Sequence, residues 1–213
     1  MKTDELVALL ARDATPVKRG ALPMRIGIFS IVGAIAAFGI LVAWLGIRPD
    51  LAEAVTGSTY WMKTLYTFGV GIAGFALVER LSRPGAKGRI GWALAGLFTV
   101  AILAIAASQL IATPPEQMRA AFMGSSWDKC PWRILALSLP GLAVILWTMR
   151  RFAPTRPALA GAAAGLLAGG IAATVYGLHC QEIAAPFVAL WYSLGMILSA
   201  IVGSLIGSRL LRW

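Results

Sequence analysis

Apolar residues along the 213-residue chain gather into six long runs separated by short polar punctuation. They cover Ile26–Ile47, Trp61–Leu81, Ile90–Ala112, Trp132–Met149, Ala158–Leu178 and Phe187–Gly207. A helix rises 1.5 Å per residue, so about 20 apolar residues cross the hydrocarbon of a bilayer. Each run is therefore expected to be a transmembrane helix, and the fold an all-α, polytopic six-helix bundle. The remaining pieces, residues 1–24 and the loop Thr113 to Pro131, are too short to bury a core. This divides the chain into an N-terminal segment, 1–24, and one transmembrane domain, 25–213.

Composition agrees with that pattern. The chain is 59% hydrophobic and 13% charged, with a mean hydropathy of +0.78, whereas soluble globules are about 45 to 50% apolar. The basic segment before the first run is not read as a cleaved signal. The run is full spanning length, and no small-residue cleavage pattern follows it.

The net charge of +10 reads as topology rather than as a nucleic-acid surface. With the N-terminus cytoplasmic, fourteen of the nineteen Lys and Arg residues fall on the cytoplasmic side, the bias that orients membrane proteins. Six spans return the C-terminus to the same side, so both termini are expected in the cytoplasm of a bacterial inner membrane. Cys130 and Cys180, the two cysteines, then face an oxidising periplasm.

Inside the spans, ionisable residues are scarce. Lys63 falls within a turn of an outer helix end, where its stem can snorkel, Glu79 sits beside Arg80 and Arg83 at an inner end, and Gln109 lies near an outer boundary. Small residues recur at helix-packing spacing instead: Gly161, Gly165 and Gly169, then Ser199, Gly203 and Gly207. Such stripes let helices approach closely, either within one chain or between copies in a homo-oligomer.

The chemistry-bearing residues sit at the outer ends. Helices four and five are joined by a short link, Arg150 to Pro157, and are expected to be antiparallel neighbours. Counted outward from it, Cys130 and Cys180 differ by about 4.5 Å in height and can meet. Around them stand "SWDKCPW" (Ser126 to Trp132) and "HCQE" (His179 to Glu182). Cys130, Cys180, His179 and Glu182 form a candidate site for a thiophilic ion such as copper or zinc, with Met118 and Met123 as further donors. No cofactor is obligatory in this reading. A thiol or metal sensor, a structural disulfide and a catalytic thiol all remain open. No Cys-x-x-Cys pair, Ser/His/Asp set or phosphate loop supports an enzyme.

The N-terminal segment carries its own pattern. Thr3 can cap a helix with Asp4 and Glu5 in its first turn, and Leu6, Leu9 and Leu10 form an apolar strip before Pro16. So short a helix is marginal alone. It gains order in a partner's groove or on the membrane surface.

"LARDATPV" (Leu10 to Val17), the basic residues and six spans after it, "WDKCPW" in the second outer loop, and "HCQE" followed by "FVALWYSLG" (Phe187 to Gly195) together resemble the NrsF family of membrane anti-sigma factors. The resemblance covers essentially the whole chain. It implies an extracytoplasmic-function (ECF) sigma factor as partner and a role in metal or oxidative stress, with Cys130 and Cys180 as sensor thiols. It also implies that Leu6, Leu9, Leu10, Asp13, Pro16 and Val17 meet the sigma factor. The competing functions are a small transporter or metal-handling membrane protein, and a membrane thiol oxidoreductase. The first suffers from the scarcity of midplane polar residues, and the second from the absence of a Cys-x-x-Cys pair.

Overall fold

The structure is a computed structural model that describes Thr3, Glu5 and residues 21–83, 85–152 and 154–212. Among the described residues there is no strand, and six helices are long and apolar enough to cross a membrane. These are α1 (Ala21–Trp44), α2 (Ser58–Leu81), α3 (Arg89–Ala112), α4 (Cys130–Met149), α5 (Pro157–Tyr176) and α6 (Ala185–Leu210). They fall on the six apolar runs, with ends displaced by a few residues. The stretch Thr113 to Pro131, expected as a loop, contains a helix, Pro115–Met123, opened by Pro115. Thr3 and Glu5 are helical. Leu6, Leu9, Leu10, Asp13, Pro16 and Val17 lie outside the described residues.

Helix α5 is central, packed against α6, α2, α4 and α1, while α3 and α1 are peripheral. Its composition explains the position. Ala160, Ala163, Ala164, Ala168, Ala172 and Ala173 are all buried, and residues this small let neighbouring backbones close in from several sides. Large apolar side chains such as Ile31, Ile35, Leu97, Val100 and Leu205 point outward instead. A periphery of this kind is compatible with a bilayer around it and costly in water.

The glycine stripes predicted from spacing meet each other. A Cβ on Gly165 would collide with the backbone of Ser199 and Ala200, and one on Gly161 with that of Gly203 and Gly207. Small-residue faces whose spacing also suits a second copy are thus consumed between α5 and α6 of one chain. Hydroxyl pairs fasten the same interior: Ser138 to Ser199 at 2.9 Å between α4 and α6, Thr174 to Thr67 at 2.9 Å between α5 and α2, and Tyr66 to Ser193 at 2.6 Å between α2 and α6. Gly165→Ala is expected to destabilise the bundle by about 1 to 3 kcal/mol through overpacking. Gly96→Ala, on an open face of α3 with nothing within 4 Å, should be neutral or slightly stabilising. Thermal unfolding of both variants in one detergent checks the contrast.

One irregularity shapes the end of the bundle that carries the cysteines. Helix α6 contains a π-helical stretch, Val188–Tyr192, which delivers Tyr192 fully buried into the core. Insertions of this type re-aim side chains and are frequent at functional sites. Helix α1 is held against α4 where Gly33 and Gly141 allow close approach. On its other flank, an apolar cleft of about 280 Å³, lined in part by Ser30, Ala34, Phe68 and Ile171, separates it from α2 and α5. At the opposite end of α2, Glu79 pairs with Arg83.

Candidate functional site

Three connections converge at the cysteine end: residues 45–50 after α1, residues 124–129 before α4, and residues 177–184 between α5 and α6. They surround a polar cleft of about 320 Å³ whose lining includes Arg48, Ser126, Arg133, His179, Cys180 and Glu182. Helix α5 ends in successive tight turns, with Leu178 N–H donating to Val175 O and both His179 and Cys180 N–H donating to Tyr176 O. These turns set Cys180 at the floor of the cleft, 3% exposed. Cys130, the first residue of α4, is fully buried behind it in the same cluster, with Tyr176, Phe187 and Tyr192. Both are free thiols.

Ser126 joins the two positions. Its carbonyl accepts from Cys130 N–H at 2.9 Å, and its hydroxyl lies 4.0 Å from Cys180 Sγ. The other candidate ligands are already occupied. Glu182 Oε1 accepts from the Ser125 N–H at 2.7 Å, the Ser125 hydroxyl at 2.7 Å and the Ser126 hydroxyl at 3.4 Å. This ties the turn at Gly124, whose φ of +52° favours glycine. His179 Nδ1 lies 3.0 Å from Gly46 O, and Nε2 lies 3.3 Å from Arg133 Nη1. Because the carbonyl must accept, the proton sits on Nδ1, and the neutral ring accepts at Nε2. Neither Met118 nor Met123 lines the cleft. Among the described residues no group of three or more His, Cys, Asp or Glu side chains converges to hold a metal ion.

The sequence reading of Lys63 requires correction. It does not snorkel outward; it is 2% exposed, and its Nζ donates to Cys180 O at 2.8 Å and Glu182 O at 3.1 Å, 5.7 Å from the centre of the Tyr192 ring. The local spacing carried this signal. Lys63 shares its helical face with Thr67, Val70 and Gly74, at i+4, i+7 and i+11, and that face is buried. A lysine on a small-residue stripe points inward.

Arg48 is the second cation that sequence reasoning passed over. Its N–H donates to Leu178 O at 3.0 Å and its Nη1 to Cys180 O at 3.4 Å, while Nε and Nη2 grip Asp50 at 2.8 and 2.6 Å. That bidentate bond holds the exposed Asp50 carboxyl down at about 2 instead of 3.8 and raises Arg48 further. The guanidinium therefore stays fixed across the neutral and mildly acidic range. Gln109, read from sequence only as a boundary residue, accepts from Ala185 N–H at 2.8 Å and so secures the start of α6.

Residues 10–213 match the family model described as negative regulator of sigma F. The chain is 45% identical over 214 residues to the anti-sigma-F factor NrsF of Caulobacter vibrioides, and 42% identical over 213 residues to the probable anti-sigma-F factor NrsF of Azospira oryzae, covering 100% of each chain in both cases. No solved structure matches.

Proposed function

Because this chain belongs to the NrsF family of negative regulators of sigma F, we propose that it is a bacterial inner-membrane anti-sigma factor with both termini in the cytoplasm. It holds an ECF sigma factor through residues 1–24 and releases it when the outward-facing thiols of Cys130 and Cys180 are altered by a thiophilic metal or an oxidant. The cytoplasmic placement of the termini rests on the charge bias, with fourteen of nineteen Lys and Arg on that side. The protein is a regulator, not an enzyme.

One observation carries this reading. The segment bearing Cys180 is bonded directly to the end of α1, through Arg48 N–H to Leu178 O, Arg48 Nη1 to Cys180 O and His179 Nδ1–H to Gly46 O. The other end of α1 continues in sequence into the leucine-bearing segment. A shift of residues 178–182 is thereby a pull on the helix that displays the sigma-binding region. With Gly33 against Gly141 on one flank and a cleft on the other, α1 has both a contact to turn on and space to turn into. A coupling of about 1 to 3 kcal/mol changes affinity by about 5- to 150-fold, which suffices for a switch.

Expressed together with the sigma factor it regulates, the full chain should carry most of that factor into the membrane fraction. Treating intact cells with a thiol-reactive metal should return it to the soluble fraction. A sigma factor that stays soluble beside the membrane-inserted chain, or stays bound after both thiols are modified, refutes the reading.

A further inference from the structure

The helix Pro115–Met123 follows α3 after two residues, touches the start of α6 and buries none of its own residues. Its nine residues are nevertheless two-sided. At about 100° per residue, Met118, Ala121 and Phe122 share one face, while Glu116 and Ala120 lie opposite and Gln117 and Arg119 flank them. Packing covers little of the apolar face, since Met118 and Phe122 stay 39% and 38% exposed. That face adjoins the outward sides of two spanning helices. Ile111, in the last turn of α3, is 89% exposed, and Trp191 of α6, beside the exposed Leu190, donates from Nε1 to Phe122 O at 2.8 Å. Trp127 lies against Trp191, with ring centres 5.4 Å apart. Tryptophan, apolar in body with one polar tip, collects where a bilayer meets water.

We infer that Pro115–Met123 is an interfacial helix: it lies in the lipid headgroup layer at the cysteine end of the bundle, with Met118 and Phe122 toward the acyl chains and Glu116 and Arg119 toward water. This goes beyond the sensor reading and rests only on the six spans crossing a membrane. Low net hydrophobicity with one apolar face marks a helix that lies on a membrane rather than through it. Nine helical residues are marginal in water, and burial of this face in lipid offsets that. The strip meets the lipid surface rather than a soluble protein, because through Ile111 and Leu190 it is continuous with helix sides that themselves face acyl chains. Glu116 and Arg119 cancel in charge, so no anionic headgroup is required. The helix ends at the Gly124 turn, and Ser125 there donates its N–H and its hydroxyl to Glu182 Oε1, each at 2.7 Å. The lipid surface thus holds one wall of the polar cleft in place.

The test is a spin-label scan of the full-length protein in nanodiscs of phosphatidylcholine, with Cys130→Ser and Cys180→Ser present so that the introduced thiol alone is labelled. Collision with oxygen, which concentrates among acyl chains, is compared with collision with a water-soluble nickel chelate. Labels at Met118→Cys and Phe122→Cys should favour oxygen, and those at Glu116→Cys and Ala120→Cys should favour nickel. Adding phosphatidylglycerol should leave that pattern unchanged. In the chain with both native cysteines, Met118→Asp together with Phe122→Asp should speed amide hydrogen exchange at Ser125 by about tenfold or more, because the helix leaves the interface and the grip on Glu182 loosens. Met118→Leu with Phe122→Leu should leave that exchange as it is. Nickel reaching both faces equally overturns the assignment and gives the strip to a soluble protein partner. A pattern present only with phosphatidylglycerol, or Ser125 exchange indifferent to the two aspartates, overturns it as well.

Discussion

Deleting residues 1–17 is expected to abolish capture of the sigma factor while leaving the six-helix bundle folded. Among the described residues, the two clusters that hold the bundle together begin at Leu22 in one and Ala37 in the other and draw on α1 to α6, all beyond the deleted segment. What it removes is the strip Leu6, Leu9 and Leu10 with the following Asp13, Pro16 and Val17. A helix of nine or ten residues is marginal in water, and apolar side chains on one face are the anchors by which such segments bind grooves. A few such anchors usually supply most of an interface's energy, and losing one costs about 2 kcal/mol or more. Removal of the whole strip should therefore reduce co-purification from detergent-solubilised membranes to background. Thermal unfolding of the truncated protein should match that of the full chain. Capture that persists after truncation moves the binding surface to the basic inner loops and removes the tail from the account.

The architecture was legible because it depends on the coarsest property of the chain. A bilayer admits only segments that satisfy their own backbone hydrogen bonds, so six apolar runs of spanning length left little choice besides six helices. Helix-packing glycines were legible for a similar reason, since small residues at i and i+4 matter only where backbones touch. Their use inside one chain, between α5 and α6, was not, because the stripe looks the same from either side of an interface. Cys130 and Cys180, expected at similar heights, belong to one buried cluster, and Ser126 contacts both.

Apart from the buried face of α2 that carries Lys63, the remainder of the site depends on chain connections that no periodicity describes. Depth along the helix suggests snorkelling for Lys63, whereas its direction around the helix decides its partners. Arg48 counts in the sequence as a topological charge, yet its role is set by a carbonyl 132 residues away. The π-helical stretch at Val188–Tyr192, which turns Tyr192 toward the thiols, is a backbone choice with no signature in "VALWY". Lys63 and Arg48 each tie a distant part of the chain to the Cys180 carbonyl.

Cys180→Ser and Cys130→Ser are each expected to leave capture of the sigma factor intact and to eliminate its release. Cys180 lies at the cleft floor and so meets a reagent first, while Cys130 is sealed behind it. A signal that needs both sulfurs is therefore a closure across the two positions rather than a modification of one. Replacing sulfur by oxygen keeps the side chain's shape and polarity close to the original, so the bonds from Arg48 and Lys63 to the Cys180 carbonyl, which do not involve the side chain, survive. The buried hydroxyl can cost about 1 to 3 kcal/mol if left without a partner, which is tolerable for the fold and adds no metal or redox chemistry. The response should then lose its whole range, about 5- to 150-fold for couplings of this kind, when transcription from a sigma-dependent promoter is measured with and without a thiol-reactive metal. Membrane sedimentation of the sigma factor in the same cells separates a silent switch from a failed one. A bound sigma factor that no longer responds supports the thiol pair as the trigger, and normal release in either single variant excludes it.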